Sequence, residues 1–138
     1  MRKITTLLMS GALILVLAAS VAYAATIQCK SGPGDCNGTK AADIISGTKG
    51  KDRMHGFQRG DEMSGRAGQD KLSGGPGSDT ITPGAGRDRV FAGRGNDTID
   101  ARDGRRDVLV CGKGQRDVVE VDEVDSVGTT CEIKHVAR

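Results

Sequence analysis

The chain has no tryptophan, one tyrosine, two phenylalanines and three prolines in 138 residues. Aromatic side chains bury the largest areas, so their scarcity argues against a conventional core built on rings. Apolar residues make up 36%, below the roughly 45–50% of an ordinary globular domain. Neither charge sign dominates, with 20 Lys and Arg against 18 Asp and Glu. That balance argues against nucleic acid as the natural partner. The two histidines, His55 and His135, stand apart in sequence and read as surface residues. HExxH, G-x-S-x-G and a P-loop lysine are all missing, so nothing points to an enzyme. The length allows one domain. Its stability must come from disulfides, a metal or a repetitive backbone ladder.

Only one long hydrophobic run occurs. It extends from Leu7 to Val21 behind Arg2 and Lys3 and ends in Ala22-Tyr23-Ala24. A positive start, an apolar stretch and a small-x-small site predict a secretory signal peptide over residues 1–24, with a retained membrane anchor as the rival reading. No cysteine follows the site directly, so a lipid anchor is not indicated. Cleavage after Ala24 leaves 114 residues carrying 18 basic and 18 acidic side chains. The expected product is secreted, extracellular and monomeric, and meets a membrane only through its leader. Export also brings an oxidising setting and abundant divalent cations.

The four cysteines are Cys29, Cys36, Cys111 and Cys131. An even count in an exported chain predicts two disulfides, with three connectivities open. The short-loop pairing, Cys29–Cys36 and Cys111–Cys131, is preferred because it staples the two ends of what lies between. A zinc site is the weaker alternative, because only Cys29 and Cys36 come near the close spacing of zinc ligands.

Between the cysteine pairs the chain repeats every nine residues. Successive units begin at Gly38, Gly47, Gly56, Gly65, Gly74, Pro83 and Ala92; two ten-residue units follow, from Ala101 and from Cys111. Every unit carries one aspartate in phase: Asp43, Asp52, Asp61, Asp70, Asp79, Asp88, Asp97, Asp107 and Asp117. Two places after each comes an aliphatic residue: Ile45, Met54, Met63, Leu72, Ile81, Val90, Ile99, Leu109 and Val119. A period this short predicts a solenoid, in which each unit buries its face only against its neighbours. Turn preference alone would explain the Asp and Gly content, but not the strict phase with the aliphatic column.

The units follow G-G-x-G-x-D-x-U-x, U being a large aliphatic residue, and Gly74-Gly75-Pro76-Gly77-Ser78-Asp79-Thr80-Ile81-Thr82 meets every fixed position. Over residues 38–119 the chain resembles the hemolysin-type (RTX) calcium-binding repeat proteins. The resemblance implies an all-β fold, a right-handed parallel β-roll or β-solenoid with Ca2+ between its turns. Many RTX proteins use an uncleaved C-terminal export signal. The N-terminal leader makes this chain look like a small stand-alone member.

The spacing has a physical logic. The x-U-x piece is a short strand whose middle residue points inward. The glycine-rich piece is a turn that needs positive φ and close backbone approach, so Gly74, Gly75 and Gly77 are candidate site residues. Two units make one coil, so residues 18 apart stack. Asp43, Asp61, Asp79 and Asp97 then form one edge column, and Asp52, Asp70, Asp88 and Asp107 the other. Carboxylates stacked about 4.8 Å apart repel by about 3 kcal/mol at an effective dielectric of 20. A hard dication held by these carboxylates and by turn carbonyls offsets that repulsion, which predicts Ca2+ as cofactor and folding coupled to its binding. A metal-independent solenoid held by disulfides and Lys/Arg–Asp pairs is the alternative.

The two edges differ in their neighbours. Lys51, Arg53, Lys71, Arg87, Arg89 and Arg106 flank the Asp52 column, whereas no cation flanks the Asp43 column. The Asp43 edge is therefore expected to bind calcium better. Arg53, Lys71 and Arg89 also stack as an outward stripe, a candidate contact for an anionic surface polymer. Ala41 and Arg59 replace a turn glycine, so the turns before Asp43 and Asp61 are expected to be distorted. The ten-residue units put Asp107 and Asp117 among the weaker metal candidates. Residues 25–37 read as an N-terminal cap and 120–138 as a C-terminal cap, with Asp122-Glu123-Val124 and Asp125-Ser126-Val127 as closing strands.

Overall fold

A computed structural model describes residues 24–30, 35–114 and 116–137. The expected leader falls almost wholly on residues 1–23, outside the described residues. The described residues form fifteen short strands: β1 (Thr26–Gln28), β2 (Asp35–Asn37), β3 (Ile44–Ser46), β4 (Arg53–His55), β5 (Glu62–Ser64), β6 (Ala67–Gly68), β7 (Lys71–Pro76), β8 (Thr80–Thr82), β9 (Ala85–Gly86), β10 (Arg89–Arg94), β11 (Thr98–Asp100), β12 (Val108–Lys113), β13 (Val118–Asp122), β14 (Ser126–Val127) and β15 (Ile133–Ala137). Among the described residues there is no helix, and so none long and apolar enough to cross a membrane.

Thirteen of these strands alternate between two parallel sheets, and β6 pairs with β9 in a third sheet of two strands. One large sheet has the order β1-β3-β5-β8-β11-β13-β15, the other β14-β12-β10-β7-β4-β2. This is a parallel β-solenoid of about six turns. Registers confirm the two-unit coil: Ile45 pairs with Met63, Met63 with Ile81, Met54 with Leu72 and Leu72 with Val90. The ten-residue units do not break the stack. Val90 pairs with Leu109 and Ile99 with Val119, so the added residues are absorbed in the turns.

The core is filled by two columns of inward side chains, one from each of the two large sheets. Met54, Leu72, Ile81, Val90, Ile99, Leu109 and Val119 are all fully buried, while their strand neighbours face outward. Period-2 alternation produces this on any strand with one buried face. Neither column contains an aromatic ring, in keeping with the composition.

Both ends are stapled as expected. Cys29–Cys36 joins the end of β1 to β2, and Cys111–Cys131 ties β12 to the segment before β15. Their Cα separations, 5.4 and 5.2 Å, suit a disulfide. Beyond the repeats, Ser126 and Val127 continue the second sheet as β14, while Glu123 and Val124 form a turn. The first sheet is closed by β15, which pairs in register with β13.

Candidate metal site

Each repeat aspartate lies at the mouth of its strand, at the end of a turn, with its side chain folded inward. All nine are 5% exposed or less. Successive aspartates on an edge are linked by the same bond. The backbone N–H of Asp43 donates to Oδ1 of Asp61, Asp61 to Asp79 and Asp79 to Asp97, each at 2.8 Å. On the other edge Asp52 donates to Asp70, Asp70 to Asp88 and Asp88 to Asp107, at 2.7–2.8 Å. The predicted columns are therefore real ladders. Both extend further than the repeat did: Asp97 donates to Asp117 and Asp117 to Oε2 of Glu132, while Asp107 donates to Oδ1 of Asp125. Glu132 lies outside the nonapeptide phase, so the repeat pattern carried no signal for it. Asp125 could have been found by its 18-residue offset from Asp107.

The second carboxylate oxygen sets the chemistry. Oδ2 of Asp61, Asp70, Asp79, Asp88, Asp97, Asp107 and Asp117 is buried with no hydrogen-bond partner among the described residues. Burial without a partner costs free energy that water would otherwise supply. No lysine or arginine forms an ion pair with any of these seven among the described residues; the Lys and Arg ion pairs there are Arg53–Asp35, Arg102–Asp100 and Arg102–Glu120. Burial accordingly pushes the Asp70, Asp79 and Asp107 carboxyls up to about 7. The backbone N–H bond pulls each down in part, and the neighbouring aspartates push it up again. Asp61, Asp88, Asp97 and Asp117 are raised for the same leading reason.

The first two units solve the problem differently. Thr39 donates its backbone N–H and its hydroxyl to Oδ2 of Asp43, and Thr48 does the same for Asp52. A threonine stands here where later units carry glycine, phenylalanine or arginine. These two carboxylates are satisfied by protein alone.

From the third unit on, the turn backbone changes. Phe57, Arg59 and Arg66 have φ of 84°, 69° and 72°, a region that costs non-glycine residues about 1–3 kcal/mol each. Arg59 thus keeps the glycine-type turn that its side chain was expected to distort. The turn before Asp43 does depart, since no residue from 38 to 42 has positive φ. In the best-matching unit, Gly75 has φ 114°, and a Cβ there would run into the carbonyl oxygen of Phe57 one coil away. A Cβ on Gly77 would meet the Arg59 carbonyl, and one on Gly74 would meet Oδ2 of Asp79. Glycine backbone likewise lies against the unpartnered oxygens of Asp61 at Gly56, of Asp70 at Gly65 and of Asp117 at Gly114, with turn carbonyls stacked along the axis.

The donors on offer are carboxylate and carbonyl oxygens, the set a calcium ion takes. Among the described residues no three His, Cys, Asp or Glu side chains converge as a cage. Any ion here must draw on the backbone, as the turn geometry allows. The seven partnerless oxygens fit that requirement, and the residues that would hold the ion are the ladder aspartates with the carbonyls beside them.

Comparison with known proteins agrees with this geometry. The family model of the RTX calcium-binding nonapeptide repeat (4 copies) matches residues 37–58, 55–90 and 82–105. The chain belongs to that family, whose repeats bind calcium and build a β-roll of this kind with a stacked aspartate ladder. No curated protein and no solved structure matches it.

The remaining predicted residues also find their places. Arg53, Lys71 and Arg89 are exposed and in register on β4, β7 and β10. They line an open groove of about 1310 Å³ beside the Asp52 ladder, together with Lys51, Arg87 and Arg106.

Proposed function

We propose that this protein is a secreted, non-catalytic calcium-binding β-roll whose folding is coupled to Ca2+. The observation that carries the reading is the run of seven buried Oδ2 atoms without a partner, from Asp61 to Asp117. A buried anion without a counter-charge is tolerated only if something neutralises it, and a dication does so for two stacked coils at once. The repeats and two disulfides support an oxidising, calcium-rich exterior as the place of action. Residues 25–37 and 120–138 serve as caps on the repeat region 38–119.

Within this reading the Asp61/Asp79/Asp97 edge binds more tightly than the Asp70/Asp88 edge. Lys71, Arg87 and Arg89 lie beside the latter and set a positive local field that disfavours a cation. Asp43 and Asp52, already bonded by Thr39 and Thr48, contribute least.

Circular dichroism of the oxidised, processed protein tests the proposal. Adding calcium to the EGTA-treated chain is expected to convert coil to β signal and raise the melting temperature. An unchanged spectrum and melting point would leave instead a metal-independent solenoid propped by its disulfides.

A further inference from the structure

We propose that the groove along the Asp52 edge is a docking site for a linear acidic polysaccharide. This goes beyond calcium binding, on which it rests only in that calcium holds the solenoid folded. Two columns of cations line the groove, one on each side of the buried aspartates. Arg53, Lys71 and Arg89 sit at paired strand positions on neighbouring coils. Lys51, Arg87 and Arg106 hold the turn position just before Asp52, Asp88 and Asp107. Strand pairing therefore repeats the charges at intervals of about 4.8 Å or a multiple of it along the axis.

These cations have little to do inside the protein. Only Arg53 has an acidic partner, Asp35 at 3.6 Å, at the first coil. Lys51, Lys71, Arg87, Arg89 and Arg106 form no salt bridge among the described residues. The aspartates beneath are buried and bonded to the next coil, and among the described residues none of them forms an ion pair with these cations. Lys71 instead lies over the Phe91 ring, its ammonium 5.6 Å from the centroid, which holds it along the strand face. Like charges stacked this way repel, and a linear polyanion running along the axis relieves every repulsion at once. Arginine's planar fork suits carboxylate and sulfate groups in particular.

The shape and composition favour a polysaccharide over other polyanions. No aromatic side chain lines the groove, so there is no stacking platform for the bases of a single-stranded nucleic acid. A groove is concave, whereas a bilayer surface is flat. A polysaccharide with an anionic group recurring along an extended chain follows a straight, periodic row of cations.

The test is calorimetry with a size-defined heparin octasaccharide in physiological salt and saturating calcium. Native protein is compared with a groove variant, Lys71→Glu with Arg89→Glu, and a control, Arg94→Glu with Lys113→Glu. Both pairs change net charge equally at exposed positions, and circular dichroism checks that each variant folds. The groove variant is expected to lose affinity about tenfold or more and the control about twofold or less. A heparin disaccharide should bind about tenfold more weakly than the octasaccharide, because only a long chain engages several coils. Equal losses in both variants, no length dependence, or absence of binding to native protein would overturn the proposal. So would tighter binding to oligothymidylate or to phosphatidylserine vesicles.

Discussion

The backbone N–H of Asp61 donates to Oδ1 of Asp79 at 2.8 Å, across eighteen residues of sequence. One oxygen of the carboxylate thereby clamps a neighbouring coil while the other, Oδ2, has no partner. The same group is a backbone clip and a candidate metal ligand. Removing its charge and removing its hydrogen bond should have separable effects.

Asp79→Asn keeps an oxygen to accept from Asp61 but gives up the anion. Calcium titration by calorimetry should show a larger loss of bound ion or affinity for Asp79→Asn than for Asp88→Asn. A tenfold gap, about 1.4 kcal/mol, is the expected scale. Equal losses would show that the cations flanking Asp88 do not bias the two edges.

Turn strain gives a second prediction. Arg59→Gly relieves a left-handed non-glycine residue and should stabilise the calcium-loaded protein by up to about 1 kcal/mol. Gly77→Ala puts a Cβ against the Arg59 carbonyl and should cost about 2 kcal/mol or more. Thermal melts of both variants in saturating calcium read the signs directly.

Protons and calcium should compete. The Asp79 carboxyl rises from 3.8 to about 7 when buried without a metal, and Asp70 and Asp107 behave alike. A carboxyl whose folded value exceeds its unfolded value favours folding below the unfolded value, and that contribution is lost as pH rises through the folded one. In EGTA the β signal present near pH 4 and its melting temperature should therefore fall progressively toward pH 7, where the metal-free chain is coil. Calcium affinity should climb over the same interval. Melting curves in EGTA across this range test the first statement; a flat profile refutes it.

Thr48 offers a test of the protein-only solution. Thr48→Val deletes the hydroxyl bonds to Asp52 but keeps the backbone N–H bond. Metal-free stability of the first coils should fall by about 1 kcal/mol, visible as faster hydrogen exchange in β4. Affinity at the Asp79 edge should not change.

Much of this architecture was legible in the repeat. The Asp column and the aliphatic column keep one phase, and two units per coil place residues 18 apart in contact, as the pairing of Met54 with Leu72 shows. The disulfide pairing was legible too, because each short loop belongs to one end. Periodicity reports which residues share a position, but not how one atom of a side chain is satisfied. The partnerless Oδ2 of Asp79 and the threonine-bonded Oδ2 of Asp43 therefore look alike in the aspartate column, and Thr39 against Gly75 at the turn distinguishes them. The left-handed backbone at Phe57, Arg59 and Arg66 was hidden because those residue types normally avoid it; stacking against the next coil imposes it. Glu132 was invisible because only the return of the chain after Cys131 brings it beneath Asp117.

Sequence alone determined the period, the inward columns of aliphatics and the two aspartate columns, since these follow from strand alternation and a constant number of residues per coil. Tertiary structure alone decided which carboxylate oxygens are partnered, and that the nearby lysines and arginines line an open groove without reaching the buried acids. The reason is distance. A nine-residue unit specifies its own turn, but satisfaction of a buried charge is settled by atoms one whole coil away.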